Sequence, residues 1–373
     1  MSLPTRTDTR LVSEWWWTVD RWLVLAITGL MAVGAVLLLA AGPAAAQRLG
    51  LPSFSLVLYQ LGHLGLAVVL LFTVSLLSPG AVRRLAVSGL GAGLMMLLLV
   101  PLIGVEINGA QRWLHIAGVS VQPVELVKPC LAVTAAWLLA VPGRTGTLPG
   151  AALSAGLVGL IAALLMLQPD LGQTLLLGGT WAVQLFVAGA SWAVVGALAA
   201  LGIAALVTAY LTMPYVAERV RGFLAPGDGP YQVERALTAF ERGGLLGRGP
   251  GEGTVKTELP DAHADFILAV AGEELGGLAC LLIIGLFAFV VLRGFARLAA
   301  TSDLFIVLAG TGLLASFGLQ AAINMASTLH LIPTKGMTLP LVSYGGSSLL
   351  AVSLGLGMLL ALTRRRTGGE ATP

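Results

Sequence analysis

Apolar runs of about 20 residues recur along almost the whole chain, and this repetition limits the possible folds more than any other feature. A run of that length is what a helix needs to cross the hydrocarbon core of a bilayer. Hydrophobic residues make up 57% of the 373 residues and charged residues only 10%, so most of the chain cannot lie in water. The sequence therefore predicts an integral membrane protein.

The runs predict ten transmembrane helices and an all-α fold. Backbone polar groups in lipid need partners within their own segment, and unbroken apolar runs favour helices over the alternating strands of a barrel. The predicted membrane domain covers residues 22–362, between an N-terminal segment, 1–21, and a tail, 363–373. Its predicted spans are 22–42, 56–78, 85–105, 122–140, 148–166, 171–189, 192–212, 264–292, 304–328 and 338–362.

Basic residues predict the orientation, because short cytoplasmic loops of membrane proteins are enriched in Lys and Arg. With the N-terminus inside, the cytoplasmic segments hold Arg6, Arg10, Arg21, Arg83, Arg84, Arg144, Arg293, Arg297, Arg364, Arg365 and Arg366. The short outer loops hold only Arg48, Arg112 and Lys335. This asymmetry predicts a multi-pass membrane protein with both termini in the cytoplasm.

Several classes of function lack their usual signatures. Cys130 and Cys280 both fall in predicted spans, without the spacing of a zinc site, and are predicted to be small packing residues. No Walker-type glycine loop, HExxH helix or GxSxG elbow is present, which argues against nucleotide hydrolysis, zinc proteolysis and serine hydrolysis. The net charge of +3 follows from the loop bias, so nucleic acid is not an expected partner.

The long outer loop, residues 213–263, is the exception to the charge rule. It carries basic residues on the side that normally lacks them, together with acidic residues. The charged residues are Arg219, Arg221, Arg235, Arg242, Arg248, Lys256, Glu218, Asp228, Glu234, Glu241, Glu252, Glu258 and Asp261. Two interpretations stay open: a solvated surface of mutually paired charges, or a platform for an anionic substrate of the outer leaflet.

Four polar positions near the predicted outer face are candidates for a site. Glu125 and Lys128 are three residues apart and share one helix face, either as a structural pair or with Glu125 orienting Lys128 toward a phosphate. Arg112 lies beside a tryptophan, as a headgroup anchor or as a substrate ligand. Asp170, in a short turn, is predicted to cap the next helix.

The segment "HLIPTKGMTLPLVSYGGSS", residues 330–348, brings Pro, Gly and hydroxyl residues to the entry of the last span. Broken backbone at membrane depth is tolerated only where it is buried or lines a cavity, so this segment is predicted to form the wall of a site. Lys335, Ser343 and Tyr344 are its candidate substrate-binding residues.

The stretch "LPDAHADFILAVAGEELG", residues 259–276, concentrates acidic residues where the outer loop enters the eighth span. Pro260 predicts a helix start, at which Asp261 is favoured for capping reasons alone. On such a helix His263 lies about 160° around the axis from Asp265, so the two are not expected to form a dyad. Glu273 and Glu274, two turns deeper, are expected to bind neighbouring helices or a loop.

In this order the motifs "INGAQRW", "QPVELVK", "QPDLGQ", "LPDAHADFILAVAGEELG" and "IPTKGMTLPLVSYGGSS" closely resemble those of the SEDS family, the bacterial proteins of shape, elongation, division and sporulation. The resemblance covers nearly the whole chain. The sequence "PTKG" followed at a short distance by "TLP" is similar to the division branch of the family rather than to its elongation branch.

The resemblance implies a peptidoglycan glycosyltransferase that polymerises lipid II at the outer face of the cytoplasmic (inner) membrane. There the 4-hydroxyl of an acceptor sugar displaces undecaprenyl pyrophosphate from the growing strand. Asp265 matches the essential aspartate of the family, as a general base or as the ligand of a divalent cation, Mg²⁺ or Mn²⁺. The pyrophosphate needs positive charge, which Arg112, Lys128, Lys335 or such a cation would supply.

The family's setting implies further expectations. They are a class B penicillin-binding protein, a transpeptidase, as partner, contacts with other membrane proteins of the division machinery and with membrane lipid, and a location at the division septum. His263, Glu125, Ser343 and Tyr344 are expected to help bind the substrate.

The chain also departs from the family at several positions. It has Val124 where the family commonly has Ser, Ala264 for Thr and Asp261 for Glu, and Thr257 stands in the place of a family glutamate whose role is not carried over. Two other functions stay open: a lipid II flippase and a non-catalytic scaffold. A transporter is expected to place its essential charges near the membrane midplane, whereas the charge here lies at the predicted outer face.

Overall fold

The computed structural model describes residues 11–107, 110–116, 118–141, 150–224 and 231–365. Some of the sequence-based predictions concern residues outside these ranges. They are the first ten residues with Arg6 and Arg10, residues 108 and 109 of the "INGAQRW" motif, Arg144 and the start of the fifth predicted span, Asp228, and the tail from Arg366 onward.

Within the described residues the chain is a helical bundle with one small sheet. The helices are α1 (Leu11–Thr18), α2 (Arg21–Arg48), α3 (Ser55–Ser75), α4 (Pro79–Ile103), α5 (Pro123–Ala140), α6 (Gly150–Leu167), α7 (Leu171–Val187), α8 (Trp192–Thr212), α9 (Pro214–Leu224), α10 (Tyr231–Gly243), α11 (Ile267–Leu298), α12 (Leu304–Thr328) and α13 (Gly346–Thr363). The strands β1 (Val105–Ile107), β2 (Ala110–Ile116) and β3 (Val119–Val121) pair antiparallel in the order β1-β2-β3.

Each of the ten predicted spans overlaps one helix, which confirms an all-α polytopic membrane protein. In the described part of the chain, nine helices are long and apolar enough to cross a membrane, and α7 is a shorter apolar helix. The helices α5, α12 and α13 are the most deeply buried and form the centre of the bundle, while nearly all of α8 is exposed. The exposed apolar faces of the bundle are the surfaces that lipid covers.

The structure corrects some predicted boundaries. The last span begins at Gly346 rather than at residue 338, because residues 331–345 form turns and extended chain, with Leu341 at a φ of 66°. The long loop contains two helices, α9 and α10, that were not predicted, and the β1-β2-β3 sheet was not predicted either. Both arise in polar stretches between spans, where the search for apolar runs has no signal.

Residues 261–266 are turns and not the start of a helix, so the predicted helix start at Pro260 is wrong. Asp261 has a φ of 53°, and α11 begins only at Ile267. The helical phase that related Asp261 and His263 to Asp265 therefore does not apply. Asp265 is instead held in a tight turn in which its N–H donates to the carbonyl of Asp261 at 3.0 Å.

The two ends of the helical bundle carry different elements, and we call them the site end and the terminal end. The site end carries the sheet, α9, α10, the turn at 168–170 and the connections into α11 and α13. The terminal end, where the described chain begins and stops, is joined by Asp20, which caps α2 and pairs with Arg293 and Arg297 of α11 at 2.9 and 3.3 Å. The helix α11 thus connects an ion-pair cluster at one end of the bundle to Asp265 at the other.

A break in α11 positions its first turns. Gly276 has a φ of 84° and a ψ of 175°, values that stop the helical hydrogen-bond ladder. The loop after α10 supplies the missing partners: the N–H groups of Arg248 and Gly249 donate to the carbonyls of Glu273 and Glu274, each at 3.0 Å. Across the break, the N–H of Gly277 donates to the carbonyl of Gly244 at 2.9 Å. Broken backbone at membrane depth is stable only when its polar groups are paired in this way.

The carboxylates of Glu273 and Glu274 hold the same loop. Glu273 accepts hydrogen bonds from the N–H groups of Thr254 at 2.8 Å and Val255 at 3.0 Å. Glu274 accepts from the N–H of Gly251 at 3.1 Å and pairs with the ammonium of Lys256. Both side chains are buried, which agrees with the expectation that they bind a loop. Of the two interpretations of the loop charges, the ion pair between Arg235 and Glu258, 3.1 Å apart, supports mutual pairing.

We expect Glu273→Ala to destabilise the protein strongly. The change leaves two N–H groups in or near the interior without an acceptor, at a cost of about 1 to 3 kcal/mol for each fully buried group. A fall in melting temperature of several degrees in detergent or nanodiscs would measure it. The matched control is Glu241→Ala, an exposed glutamate of α10 that should change stability little. Equal melting temperatures for the two variants would show that the hydrogen bonds of the Glu273 carboxylate to the loop do not stabilise the fold.

Candidate functional site

A cleft of about 420 Å³ opens at the site end of the bundle. The start of α7, one face of α9 and residues 332–337 surround it. Most of its wall is apolar, and its charged lining residues are Arg112, Asp170, Arg219 and Lys335. Three cations against one carboxylate leave an excess of positive charge in a partly apolar space. A cleft of this kind suits a ligand with an anionic head and an apolar body.

Arg112 is largely committed to its neighbours. Its guanidinium, on β2, donates to the carbonyls of Gln168 at 3.1 Å and of Pro169, and lies 4.0 Å from the carboxylate of Asp170. These bonds fix the turn between α6 and α7. Asp170 caps α7 by accepting from the N–H of Gln173 at 3.3 Å, as predicted. Burial raises the pKa of the Asp170 carboxyl, and Arg112 opposes that shift.

Lys335 is the least committed of the three cations. Its backbone N–H donates to Ser327 Oγ at 3.1 Å, which anchors the segment, while its side chain runs past Gly172. Within the described part of the chain, its ammonium has no hydrogen bond or ion pair. Burial and the neighbouring Arg219 lower the pKa of Lys335, and Asp170 opposes them. A cation held in this way is available to a ligand anion.

Arg219 was seen in the sequence only as one charge of the long loop, and its place in the cleft was missed. It lies on α9 beside Val216 and Val220, which also line the cleft, and its guanidinium reaches the carbonyl of Thr334 at 3.5 Å. The sequence does contain a signal for this helix. Residues 214–224 form an amphipathic stretch whose apolar face carries one arginine, a pattern that indicates a helix lying against the bundle.

Asp265 lies beside the cleft, two residues before α11. Its carboxylate faces Gly336 of the cleft wall, where a β-carbon would lie only 3.4 Å from Asp265 Oδ2. Burial raises the pKa of Asp265 from 3.8 to about 7, Asp261 adds to the rise, and Arg219 opposes it. The carboxyl group is therefore poised to exchange a proton near neutral pH.

Two further segments hold the turn around Asp265. Ser343 Oγ donates to the carbonyl of Ala264 at 2.5 Å, and the N–H of Tyr344 donates to the carbonyl of His263 at 2.9 Å. Asn324 of α12 donates to the carbonyl of Asp265 itself at 2.9 Å. The segment predicted to form a wall, residues 330–348, therefore does contact the segment that contains Asp265.

The remaining candidates lie outside the cleft lining. The rings of His263 and Tyr344 lie 5.2 Å apart, with the pKa of His263 lowered and that of Tyr344 raised, in both cases chiefly by burial. Ser343 is buried and uses its hydroxyl to bond Leu339 and Ala264. Their predicted role in substrate binding stays a prediction.

Glu125 and Lys128 form a buried ion pair inside the bundle. Their charged groups lie 2.9 Å apart, and each residue is 3% exposed. Gln320 accepts from the Lys128 ammonium at 2.6 Å, and Gln173 donates to Glu125 at 3.2 Å. The pair borders an interior cavity of about 30 Å³ and not the cleft. Of the two interpretations of this pair, the geometry favours the structural one.

Comparison with known proteins places these residues in a family. Residues 21–368 match the FtsW/RodA/SpoVE family, described as "Cell cycle protein". The chain is 42% identical to a probable peptidoglycan glycosyltransferase FtsW of Caulobacter vibrioides, over 97% of this chain and 94% of that protein. It is 36% identical to the Escherichia coli O6:H1 protein of the same description, over 92% and 85%.

Solved structures are similar as well. One is a chain from a study of "Structural coordination of polymerization and crosslinking by a peptidoglycan synthase complex", with a TM-score of 0.76 and 32% identity over 92% of this chain and 97% of that one. Another is the rod shape determining protein RodA of Thermus thermophilus, with a TM-score of 0.69 and 31% identity over 93% and 97%.

The raised pKa of Asp265 predicts a pH-dependent stability difference. Between pH 3.8 and about 7 the folded protein binds a proton at Asp265 that the unfolded chain does not, so this contribution to stability is lost as pH rises through that window. Asp265→Asn lacks the titration. Its melting temperature minus that of the wild type should therefore rise by a few degrees between pH 5 and pH 8. A difference that stays constant across this range would contradict the burial of the carboxylate.

Proposed function

The chain belongs to the FtsW/RodA/SpoVE family of cell cycle proteins, and on that premise we propose that it is a peptidoglycan glycosyltransferase that polymerises lipid II, with Asp265 as the general base. The observation that carries the proposal is a carboxyl group with a pKa of about 7 beside a cleft that holds Arg112, Arg219 and Lys335. A base and an anion site side by side are what transfer from a pyrophosphate donor requires.

In the proposed reaction the acceptor's 4-hydroxyl oxygen bonds to the anomeric carbon of the donor sugar. The hydroxyl proton passes to the Asp265 carboxylate as that bond forms. The bond between the anomeric carbon and undecaprenyl pyrophosphate breaks, and its electron pair leaves with the pyrophosphate. A base with a pKa near the working pH is ionised often enough to accept the proton and basic enough to aid its transfer.

We place the donor pyrophosphate against Lys335 and Arg219. Within the described residues, no protein anion pairs with the ammonium of Lys335. The guanidinium of Arg219 forms one hydrogen bond, to a backbone carbonyl. Arg112 adds charge from the far side of the Asp170 turn. Lys128, also a candidate from the sequence, is buried in its ion pair with Glu125 and is left out of this site.

A divalent cation, Mg²⁺ or Mn²⁺, that arrives with the substrate is the alternative role for Asp265, whose carboxylate would then be a metal ligand and not the base. In the described part of the chain no three His, Cys, Asp or Glu residues cluster to hold a metal alone. Asp261 and Asp265 are close enough for Asp261 to raise the pKa of Asp265. Two carboxylates with pyrophosphate oxygens are a donor set that Mg²⁺ uses. Bound there, the ion would neutralise charge on the leaving group.

The site end of the bundle is proposed to face the outside of the cytoplasmic membrane, with both termini inside. Support comes from the arginines of the terminal end, among them Arg293, Arg297 and Arg364, since cytoplasmic loops are enriched in basic residues. A class B penicillin-binding protein is the proposed partner, because the similar solved chain belongs to a complex described as coordinating polymerization and crosslinking. The division septum and its other membrane proteins follow from the FtsW relatives.

A lipid II flippase is the alternative that one observation favours, the charged pair Glu125 and Lys128 within the bundle. Transport sites use polar groups near the midplane, but they must release their partners to a substrate. Here both residues are 3% exposed, and Gln320 and Gln173 also hydrogen-bond to them. A scaffold would need neither this pair nor the cleft. Glycosyl transfer, unlike transport or scaffolding, accounts for both the cationic cleft and the Asp265 carboxyl group beside it.

We expect Asp265→Asn to abolish glycan synthesis. The purified protein, in complex with its penicillin-binding partner and supplied with lipid II, should make strands that gel electrophoresis resolves, and the variant should make fewer by at least about 100-fold. Matched melting temperatures at pH 5 would show that the variant is folded. Strands made at the wild-type rate would reject Asp265 as the base, and none from either protein would favour transport or scaffolding.

A change at Lys335 tests the anion site separately from the base. Lys335→Gln removes a charge that the leaving pyrophosphate needs and should lower kcat/KM for lipid II by about 100-fold, the usual effect of losing one such group. Lys335→Arg keeps the charge and should retain more of the activity. If Gln and Arg at this position perform alike, the pyrophosphate is held elsewhere.

A further inference from the structure

Asn324 joins the turn that contains Asp265 to the wall of the cleft. It lies one turn before the end of α12 and is 1% exposed. Its side-chain nitrogen donates to the carbonyl of Asp265 at 2.9 Å and to the carbonyl of Met337 at 2.6 Å. Because the two hydrogens of an amide lie in one plane, these bonds fix the direction of both carbonyls at once.

Neither carbonyl belongs to a helix or a strand. The N–H groups of Ala269 and Val270 at the start of α11 donate to the carbonyl of Phe266, which leaves the Asp265 carbonyl outside the helical ladder. Its other contact is Thr328 Oγ1, at 3.5 Å. Met337 lies in the irregular stretch between α12 and α13. Carbonyls without a ladder partner depend on a side chain or on water.

The segment on the other side of Asn324 contains the groups that face the substrate. Gly336, beside Met337, faces the Asp265 carboxylate, and Lys335 precedes it in the cleft wall. One buried amide therefore sets the position of the carboxylate relative to the least committed cation. Asn324 itself is absent from the cleft lining, so it acts only through these neighbours.

We propose that Asn324 is a positioning residue for glycosyl transfer, which holds the Asp265 carboxylate and the Lys335 segment in the geometry that proton transfer requires. The inference rests on the proposed function, in which Asp265 is the base. A displacement of about 1 Å at a reacting group can lower the rate by about 100-fold. Loss of the hydrogen bonds from Asn324 should therefore be measurable in the rate.

The loss of Asn324 should affect the rate more than the fold. Ser343 Oγ and the N–H of Tyr344 still hold the carbonyls of Ala264 and His263. The turn therefore stays attached to the wall when Asn324 is changed, and only the direction of Asp265 is released. An effect on kcat with KM nearly constant separates positioning from substrate binding.

Gln184 of α7 provides a matched control. It is also 1% exposed, and its side-chain nitrogen also donates to two carbonyls, those of Ala132 at 2.7 Å and Leu308 at 3.0 Å. In both residues the amide oxygen has no hydrogen-bond partner among the described groups. Gln184 lines neither the cleft nor the Asp265 turn. Replacing either amide by Leu removes the same kind and number of bonds.

The experiment compares Asn324→Leu with Gln184→Leu in the complex with the penicillin-binding partner, measuring kcat and KM for lipid II and the melting temperature. We expect similar falls in melting temperature, a kcat lower by about 10- to 100-fold for Asn324→Leu alone, and KM within about threefold of the wild type for both. Equal kcat losses in the two variants, or no loss in Asn324→Leu, would overturn the positioning role.

Failure of this inference is distinguishable from failure of the proposed function. If Asp265→Asn still makes strands, Asp265 is not the base. If Asp265→Asn is inactive and Asn324→Leu behaves like Gln184→Leu, only the positioning role is lost. Where Asn324→Leu does not yield folded protein, Asn324→Ala removes the amide donor without adding bulk or charge. We expect the same loss of kcat from it, and wild-type kcat would overturn the inference.

Discussion

The structure depends on how the interrupted helix α11 is satisfied. A chain that crosses lipid cannot leave backbone polar groups unpaired, and Gly276 breaks the ladder of α11 after its first turns. The loop after α10 donates its N–H groups to the carbonyls of Glu273 and Glu274, and their carboxylates hold the next residues of the same loop. These hydrogen bonds hold the buried first turns of α11 in place, and Asp265 lies just before those turns.

The electrostatics of the site follow from the burial of its charged groups. Burial raises the pKa of Asp265 to about 7 and lowers the pKa of Lys335, so it shifts both groups toward their neutral forms. Arg219 acts on both, lowering the pKa of the carboxyl and also that of the lysine. An anionic substrate in the cleft would favour the charged lysine. The cleft thus combines a base that titrates near neutral pH with cations that gain from binding pyrophosphate.

The sequence predicted the spans, and the family resemblance singled out Asp265 as a candidate, but the geometry between the spans was not predicted. Apolar runs of spanning length leave a strong signal, and Asp170 was predicted as a cap from its place before an apolar run. The turn at 261–266, the sheet and α9 depend on contacts between distant segments. Arg219 and Asn324 were missed for the same reason, since their partners Thr334, Asp265 and Met337 become neighbours only in the fold.

The central claim, that Asp265 accepts the acceptor's proton, is tested most directly by the pH dependence of glycan synthesis at saturating lipid II. The carboxyl group must be ionised to act as a base, and its pKa is raised to about 7. If Asp265 is the base, kcat should rise tenfold per pH unit on the acid side and level off above a midpoint near neutral pH. A kcat that is constant from pH 5 to pH 8 would contradict it.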